Sequence, residues 1–157
     1  MSRAARLRGG APGPGVRVLG VDFGLRKLGI AVSDEGSTLA TPDRVLRVDS
    51  VREAPAAVAA VAAELGAESV VVGVPLGLEG EERRLEVRRV ERFARALRKA
   101  SGLAVHLVDE SLTTREAQEA ARQRGRSTRD PDRHDHAAAL ILQRWLDRPR
   151  RTRGGAE

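Results

Sequence analysis

The feature that most constrains the fold is an apolar run near the start of the chain, broken by a carboxylate and a glycine. Residues 16–21 read Val-Arg-Val-Leu-Gly-Val, which is typical of a strand covered on both faces. Asp22 ends the run, Gly24 lets the chain reverse at little steric cost, and a second apolar run follows at 28–33. A carboxylate at the end of a buried strand is costly unless a cation meets it. Asp22 therefore either caps the turn through backbone amides or faces a metal ion or a phosphate.

The rest of the chain alternates strand and helix patterns. Strands are predicted at 16–21, 28–33, 44–48, 69–74 and 103–108, and helices at 54–65, 81–100, 113–124 and 135–146. Right-handed crossovers would place the fourth and fifth strands beside the first and parallel to it. The predicted architecture is thus α/β, a five-stranded mixed sheet flanked by helices. Because the carboxyl ends of parallel strands share one edge, Asp22 and Glu110 are expected near each other, and Asp135 can pack there from a helix start.

Composition restricts the compartment and the partners. With 157 residues the chain has the size of one domain, and it contains no cysteine, which excludes disulfides and thiolate zinc sites. A reducing, cytoplasmic location is expected, without a membrane span, since no apolar run approaches about 20 residues. The net charge of +6 indicates a polyanionic partner. Few aromatic residues disfavour a single-strand stacking platform, so duplex or branched nucleic acid fits better.

Both ends are interpreted as extensions of one folded domain at 16–147. Residues 1–15 contain arginines but no apolar core, so they are predicted to be a disordered basic arm, and 148–157 a basic tail. A solvated face is the competing explanation for the arginines of the 81–100 helix. The predicted nucleic-acid contacts are Arg26, Lys27, Arg83, Arg84, Arg88 and the tail.

Three carboxylates are candidates for a metal site. Phosphodiester hydrolysis on two divalent metals needs several carboxylates that converge on a spot about 4 Å across. Mg²⁺ keeps several waters, so two or three Asp or Glu side chains suffice. Asp22, Glu110 and Asp135 could bridge the metals, activate the water and stabilise the leaving oxygen. Spacing alone is a moderate signal, because carboxylates at strand ends are common.

Four segments in order resemble the YqgF/RuvX family, the Holliday-junction-resolvase-like proteins also called pre-16S rRNA nucleases. They are 21–34, 71–80, 109–114 and the Asp-x-x-Ala-Ala pattern from Asp135, and the resemblance spans about 16–147. It implies a ribonuclease H-like fold, which agrees with the predicted strand order. It also implies a first acid at Asp22, a second at Glu110 rather than Asp109, and a third at Asp135.

The resemblance further implies a function. It indicates an endonuclease, dependent on Mg²⁺ or Mn²⁺, that hydrolyses phosphodiester bonds in structured nucleic acid. The substrate would be branched DNA, in Holliday junction resolution and recombination, or precursor rRNA, in 5′ maturation of pre-16S rRNA and ribosome biogenesis. A homodimer is a further option, because junction resolvases cut two strands symmetrically, but no stretch of the sequence marks a dimer face.

Two departures from the family pattern affect the site. Gly77 stands where Asn is usual, which removes one polar side chain. Counting back from Gln143, the final acid of relatives falls on His134 instead of Asp135. We favour Asp135, because Asp-x-x-Ala-Ala is kept and Asp is a good N-cap. His134 is the alternative third ligand or base, and Asp132 a weaker one.

The three histidines have simpler structural explanations. Surface exposure is the simpler explanation of His134 and His136, and a core position is the simpler explanation of His106.

Two other functions are considered. An ATP-binding fold of the actin and sugar-kinase type also begins with Asp-x-Gly after a strand, but it needs a second domain and a second phosphate loop. A non-catalytic RNA-binding factor in ribosome assembly or transcription is the remaining alternative. Retention of three acids on matching motifs weighs against it.

Overall fold

One mixed sheet organises the protein. The structure, a computed structural model, describes residues 16–74, 79–109 and 134–149. The strands are β1 (Arg17–Asp22), β2 (Lys27–Ser33), β3 (Ala40–Arg47), β4 (Ala67–Val74) and β5 (Ala104–Asp109), and the helices α1 (Ala54–Leu65), α2 (Gly80–Ser101) and α3 (His134–Asp147). The strand order is β3-β2-β1-β4-β5, antiparallel from β3 to β1 and parallel from β1 to β5. The predicted five-stranded mixed sheet is confirmed.

Alternation along the strands separates two cores. On β1, Leu19 and Val21 belong to the core under α1 and α2, whereas Val18 belongs to the core under α3. Asp22 lies on the same face of the sheet as Val18, because side chains two positions apart on a strand share a face. The carboxylate is therefore presented on the α3 side of the sheet.

Two glycines let α3 lie directly on the sheet. A Cβ at Gly20 would lie 2.7 Å from Cβ of Leu142 and 2.9 Å from the carbonyl oxygen of Ala138. A Cβ at Gly29 would collide with the carbonyl group of His134. Since Gly29 is the register partner of Asp22, this close approach sets the first residue of α3 beside Asp22.

Most predicted bounds hold to within two residues, and β3 is the exception. It begins at Ala40, four residues before the predicted strand at 44–48. Pro42 disfavours a strand in the sequence, but β3 is an outermost strand of the sheet, where a missing amide hydrogen is tolerated. An irregularity between Ile30 and Ala31 of β2 accommodates the pairing of Ala31 with Pro42. Helix α1 has the predicted bounds, and Gly66 ends it in the left-handed conformation.

Several predictions lie outside the described residues. They are the arm at 1–15, Gly77, Glu110, the helix at 113–124, Asp132 and the tail beyond 149. Among the described helices, none combines the length and the apolar character that crossing a membrane requires.

Candidate active site

Strand pairing and the contacts of the next two residues fix the backbone position of Asp22. It is the last residue of β1 and pairs with Gly29 of β2. The next residue, Phe23, packs on Phe93 of α2 with ring centroids 4.7 Å apart. A Cβ at Gly24 would then collide with the carbonyl oxygen of Lys27, so the turn is too tight for a side chain. This fixed backbone presents a carboxylate whose side chain is only 16% exposed.

The closest described partner of that carboxylate is a histidine 112 residues later. Nδ1 of His134 lies 3.2 Å from Oδ2 of Asp22. With Asp22 ionised, the tautomer that carries its proton on Nδ1 donates this hydrogen bond, which leaves the lone pair on Nε2. No backbone amide of the described residues bonds to the carboxylate, so the turn-capping interpretation of Asp22 gains no support there. The other oxygen, Oδ1, has no hydrogen-bond partner within the described ranges.

His134 and Asp135 both lie in the first turn of α3. The side chain of His134 is 36% exposed, so it lies partly at the surface, and it also contacts Asp22. His136, in contrast, is exposed as expected. The N-cap prediction for Asp135 is wrong, because the helix already begins at His134. Oδ1 of Asp135 accepts the backbone N–H of His136 at 2.9 Å, a local contact at the positive end of the helix dipole.

The strand pairing agrees with the expectation that β1 and β5 end at the same edge of the sheet. Val21 is in register with Val72 of β4, and Gly73 with Val108 of β5, so β1 and β5 end at the same edge. Only β4 lies between them, which separates their ends by about 10 Å. Asp109 is in register with Val74, and Glu110 lies outside the described residues. Within the described ranges no three metal-ligating side chains form one group, and the pair present is Asp22 with His134.

Basic residues flank this edge. Arg26 is exposed and Lys27 half-buried in the turn after Asp22. Arg98 of α2 bonds to the carbonyl oxygen of Val105 near the start of β5, whereas Phe93 meets Phe23 at the end of β1. The start of α2, thirteen residues before Phe93 and about 20 Å along the axis, therefore extends past the edge that carries Asp22.

Three exposed arginines lie in this projecting part of α2. They are Arg83, Arg84 and Arg88, which we call the α2 arginines. Arg84 pairs with Glu81 at 3.1 Å, but such an exposed pair contributes only about 0–1 kcal/mol and is readily exchanged for a phosphate. Leu85, between them, is 46% exposed. The projection thus presents the α2 arginines beside the site together with the exposed acids Glu79, Glu81 and Glu82.

His106 lies in the core under α3, away from Asp22, as predicted. Its ring stacks on Trp145 with centroids 5.1 Å apart, and the guanidinium of Arg148 lies 3.8 Å from the Trp145 centroid. Burial, with the nearby charges of Arg148 and Arg98, lowers the pKa of His106. His106 is therefore a packing residue with no contact to Asp22 among its described interactions.

Comparison with known proteins decides the family. Residues 16–148 match the model of the RuvX family, described as Holliday junction resolvase. The chain belongs to the RuvX family. A relative from Synechococcus elongatus is 39% identical over 143 residues, covering 89% of this chain and 95% of the relative. One from Anaeromyxobacter is 41% identical over 135 residues, covering 84% and 97%. Both are named "Putative pre-16S rRNA nuclease".

Solved structures confirm the fold of this RuvX-family chain. Thermus thermophilus RuvC, in complex with a Holliday junction substrate, has a TM-score of 0.56 at 17% identity and covers 83% of this chain and 93% of its own. The fowlpox virus Holliday junction resolvase has a TM-score of 0.51 at 11% identity and covers 83% and 98%. The predicted ribonuclease H-like fold and the family resemblance are confirmed, and with them a nuclease, hence hydrolase, function.

Sequence reasoning missed how α3 of this RuvX-family chain docks. Gly20 and Gly29 were available as signals, since a glycine inside a strand pattern often marks a close backbone approach. Gln143 served only as a marker for alignment. In the structure its amide bonds to the backbone at the start of β3, accepting from Ala40 N at 2.8 Å and donating to the carbonyl oxygen of Thr38 at 2.9 Å.

Proposed function

We propose that this protein is a divalent-metal-dependent endonuclease that cuts structured nucleic acid at the edge of the sheet carrying Asp22. The observation that carries the proposal is the contact between Asp22 and His134 at 3.2 Å, formed at the carboxyl end of the first strand in a RuvX-family chain. A half-buried carboxylate with one oxygen on an imidazole and the other without a hydrogen bond to the described residues is a suitable first ligand for a hard cation.

The donor set fits Mg²⁺ or Mn²⁺ with oxygen ligands. Asp22 would hold the ion with Glu110, the acid that follows β5, and Asp135, in the first turn of α3. Glu110 is preferred over Asp109 because, counted in steps of two, position 110 follows His106 and Val108, whose strand positions share the α3 side with Asp22. When bound, the metal would polarise the scissile phosphate and lower the pKa of the attacking water.

His134 has a separate part in this proposal. Its Nδ1 is oriented by Asp22, so Nε2 can take a proton from the attacking water or return one to the leaving oxygen. The Asp22 carboxylate stabilises the imidazolium that forms, as a neighbouring negative charge does. His134 therefore moves a proton, while Asp135 adds an oxygen ligand one residue further along the helix.

The substrate is proposed to be duplex or branched, either a four-way DNA junction or precursor rRNA. The α2 arginines project past the catalytic edge, and Arg26 and Lys27 flank it, so phosphates on both sides of a scissile bond would meet cations. Such contacts read the backbone rather than the bases. The names of the curated relatives favour precursor rRNA, and that of the family model favours the junction.

The test is cleavage of a labelled four-way junction and of a pre-16S rRNA fragment, each with Mg²⁺ and with Mn²⁺. Wild-type protein is expected to cut at least one substrate, and Asp22→Asn to lose orders of magnitude in rate while it still binds. Glu35→Gln is the matched control. Glu35 is an exposed acid in the turn between β2 and β3, near the start of β1 and not near its end at Asp22. Tight binding without cleavage of either substrate, with either metal, would instead support a non-catalytic RNA-binding factor.

A further inference from the structure

Gln143 makes the most specific polar contact between α3 and the sheet. Its Oε1 accepts the N–H of Ala40 at 2.8 Å, and its Nε2 donates to the carbonyl oxygen of Thr38 at 2.9 Å. Nε2 also lies 3.1 Å from Oδ1 of Asp147, one turn further along the helix. The side chain thus bonds a donor and an acceptor at the start of β3, as a neighbouring strand would.

The adjacent apolar residues of α3 fix its register on the sheet only in part. They occur as pairs, so that a helix moved by one residue would still bury an apolar side chain at the first place of each pair, whereas Gln143 and Asp147 would take the second places of the last two pairs. The pairs are Ala138 with Ala139, Ile141 with Leu142, and Trp145 with Leu146. Hydrophobic burial is not directional, so the first places of the pairs do not discriminate between the two registers.

Gln143 does discriminate between them. A move of one residue, about 1.5 Å along the axis and 100° around it, would bring Gln143 to the place of Leu142, whose Cβ faces the backbone of Gly20. There its amide would lose the partners in β3 and be buried against an apolar strand, which is unfavourable. The same move would bring Asp135 to the place of His134.

We propose that Gln143 is a positioning residue, which sets the register of α3 so that His134, and not Asp135, meets Asp22. The proposal rests on the proposed function for its catalytic meaning, but the register itself can be measured without cleavage. It also gives a physical reason why counting back from Gln143 leads to His134.

Thiol trapping tests the register, because the chain contains no cysteine. Two double variants, Asp22→Cys with His134→Cys and Asp22→Cys with Asp135→Cys, are treated with dibromobimane, which bridges neighbouring thiols. With Gln143 present, the 22–134 pair is expected to bridge faster. Two hydrogen bonds of ordinary net strength bias the registers by about tenfold or more, so the ratio of rates should be of that order.

Gln143→Leu in each double variant removes the share of the bias that Gln143 contributes, and the 22–134 to 22–135 ratio should fall by about tenfold or more. Asp147→Asn is the matched control: it keeps a polar side chain at 147 and both bonds from Gln143 to β3, so the ratio should stay high. Gln143→Glu, which keeps the acceptor for Ala40 and loses the donor to Thr38, should give an intermediate ratio and serves if the leucine variant does not fold.

A ratio unchanged by Gln143→Leu, or by Gln143→Glu where the leucine variant does not fold, overturns the proposal, and so does a lack of preference with Gln143 present. Cleavage by the wild-type protein, measured beside the trapping ratio, then separates the two proposals. A lost trapping ratio with no nuclease activity in the wild type keeps the positioning role and refutes the nuclease. Nuclease activity with an unchanged ratio does the reverse.

Discussion

Replacing Gly29 by alanine tests whether the start of α3 belongs to the catalytic site. The added Cβ would overlap the carbonyl group of His134 and lie 2.7 Å from the backbone nitrogen of Asp135. These are backbone atoms of a helix, which cannot rotate away as the end of a side chain can. The first turn of α3 must therefore move off β2, and His134 must move away from Asp22, the register partner of Gly29.

The expected cost differs between stability and catalysis. Overpacking of this kind destabilises by about 1–3 kcal/mol, which for a chain of this size lowers Tm by roughly 2–12 °C. A displacement of about 1 Å at a catalytic group can lower the rate about a hundredfold. Gly29→Ala should therefore lose about two orders of magnitude in cleavage at a temperature where the protein is still folded.

Gly66→Ala is the matched control for the same chemical change. Gly66 ends α1 at a φ of 72°, with open space around its missing Cβ. Alanine there is strained by about 1–2 kcal/mol but lies on the other side of the sheet from α3. It should lower Tm and leave the cleavage rate unchanged. Single-turnover cleavage and thermal unfolding measured on both variants decide the matter. If Gly29→Ala cuts as fast as Gly66→Ala, the start of α3 plays no part in the site.

Four other outcomes are expected. Mg²⁺ or Mn²⁺ should raise Tm by relieving repulsion between the carboxylates, and Asp22→Asn should abolish most of that gain, whereas an equal shift in both proteins contradicts the site. Changing the α2 arginines to glutamine should make the slope of log affinity against log salt shallower by about 0.9 for each phosphate that the variant no longer neutralises, as measured on duplex DNA. Asp135→Asn should remove an oxygen ligand and His134→Ala a proton carrier, so each should slow cleavage, with weaker metal binding, seen by calorimetry, only in the former. Because the pKa of His106 is lowered on folding, the unfolded state binds its proton more readily, and the free energy of unfolding should decrease as the pH falls below about 6.5, a dependence that His106→Gln removes.

The sheet could be predicted from the sequence because its rules are local or topological. The apolar runs at 16–21 and 69–74 are long enough to be recognised as buried strands, and the handedness of crossovers places them side by side. Helix α1 was predicted with its correct end because Gly66 can adopt the left-handed conformation that stops a helix. The early start of β3 was not predictable from alternation, since Pro42 is tolerated only because β3 is an outermost strand of the sheet.

The candidate site was predictable only in part, and the reason lies in distance along the chain. Asp22 follows from the strand it ends, and the shared edge follows from the parallel pairing of β1, β4 and β5. Whether His134 or Asp135 meets Asp22 depends on contacts more than 100 residues apart in sequence. The pattern Asp-x-x-Ala-Ala favours Asp135, but that pattern describes the helix itself and not the surface on which it lies.

The docking of α3 shows how a polar residue can decide what apolar residues leave open. Adjacent apolar pairs give the helix a wide buried face, and a wide face stabilises the helix on the sheet without fixing its rotation. The glycines of β1 and β2 bring the two backbones together, but closeness alone also leaves the rotation free. A single amide with one donor and one acceptor bonded to β3 restricts it, because hydrogen bonds weaken steeply when they are misaligned. The identity of the residue that meets Asp22 is then determined at the far end of the helix, nine residues from the site.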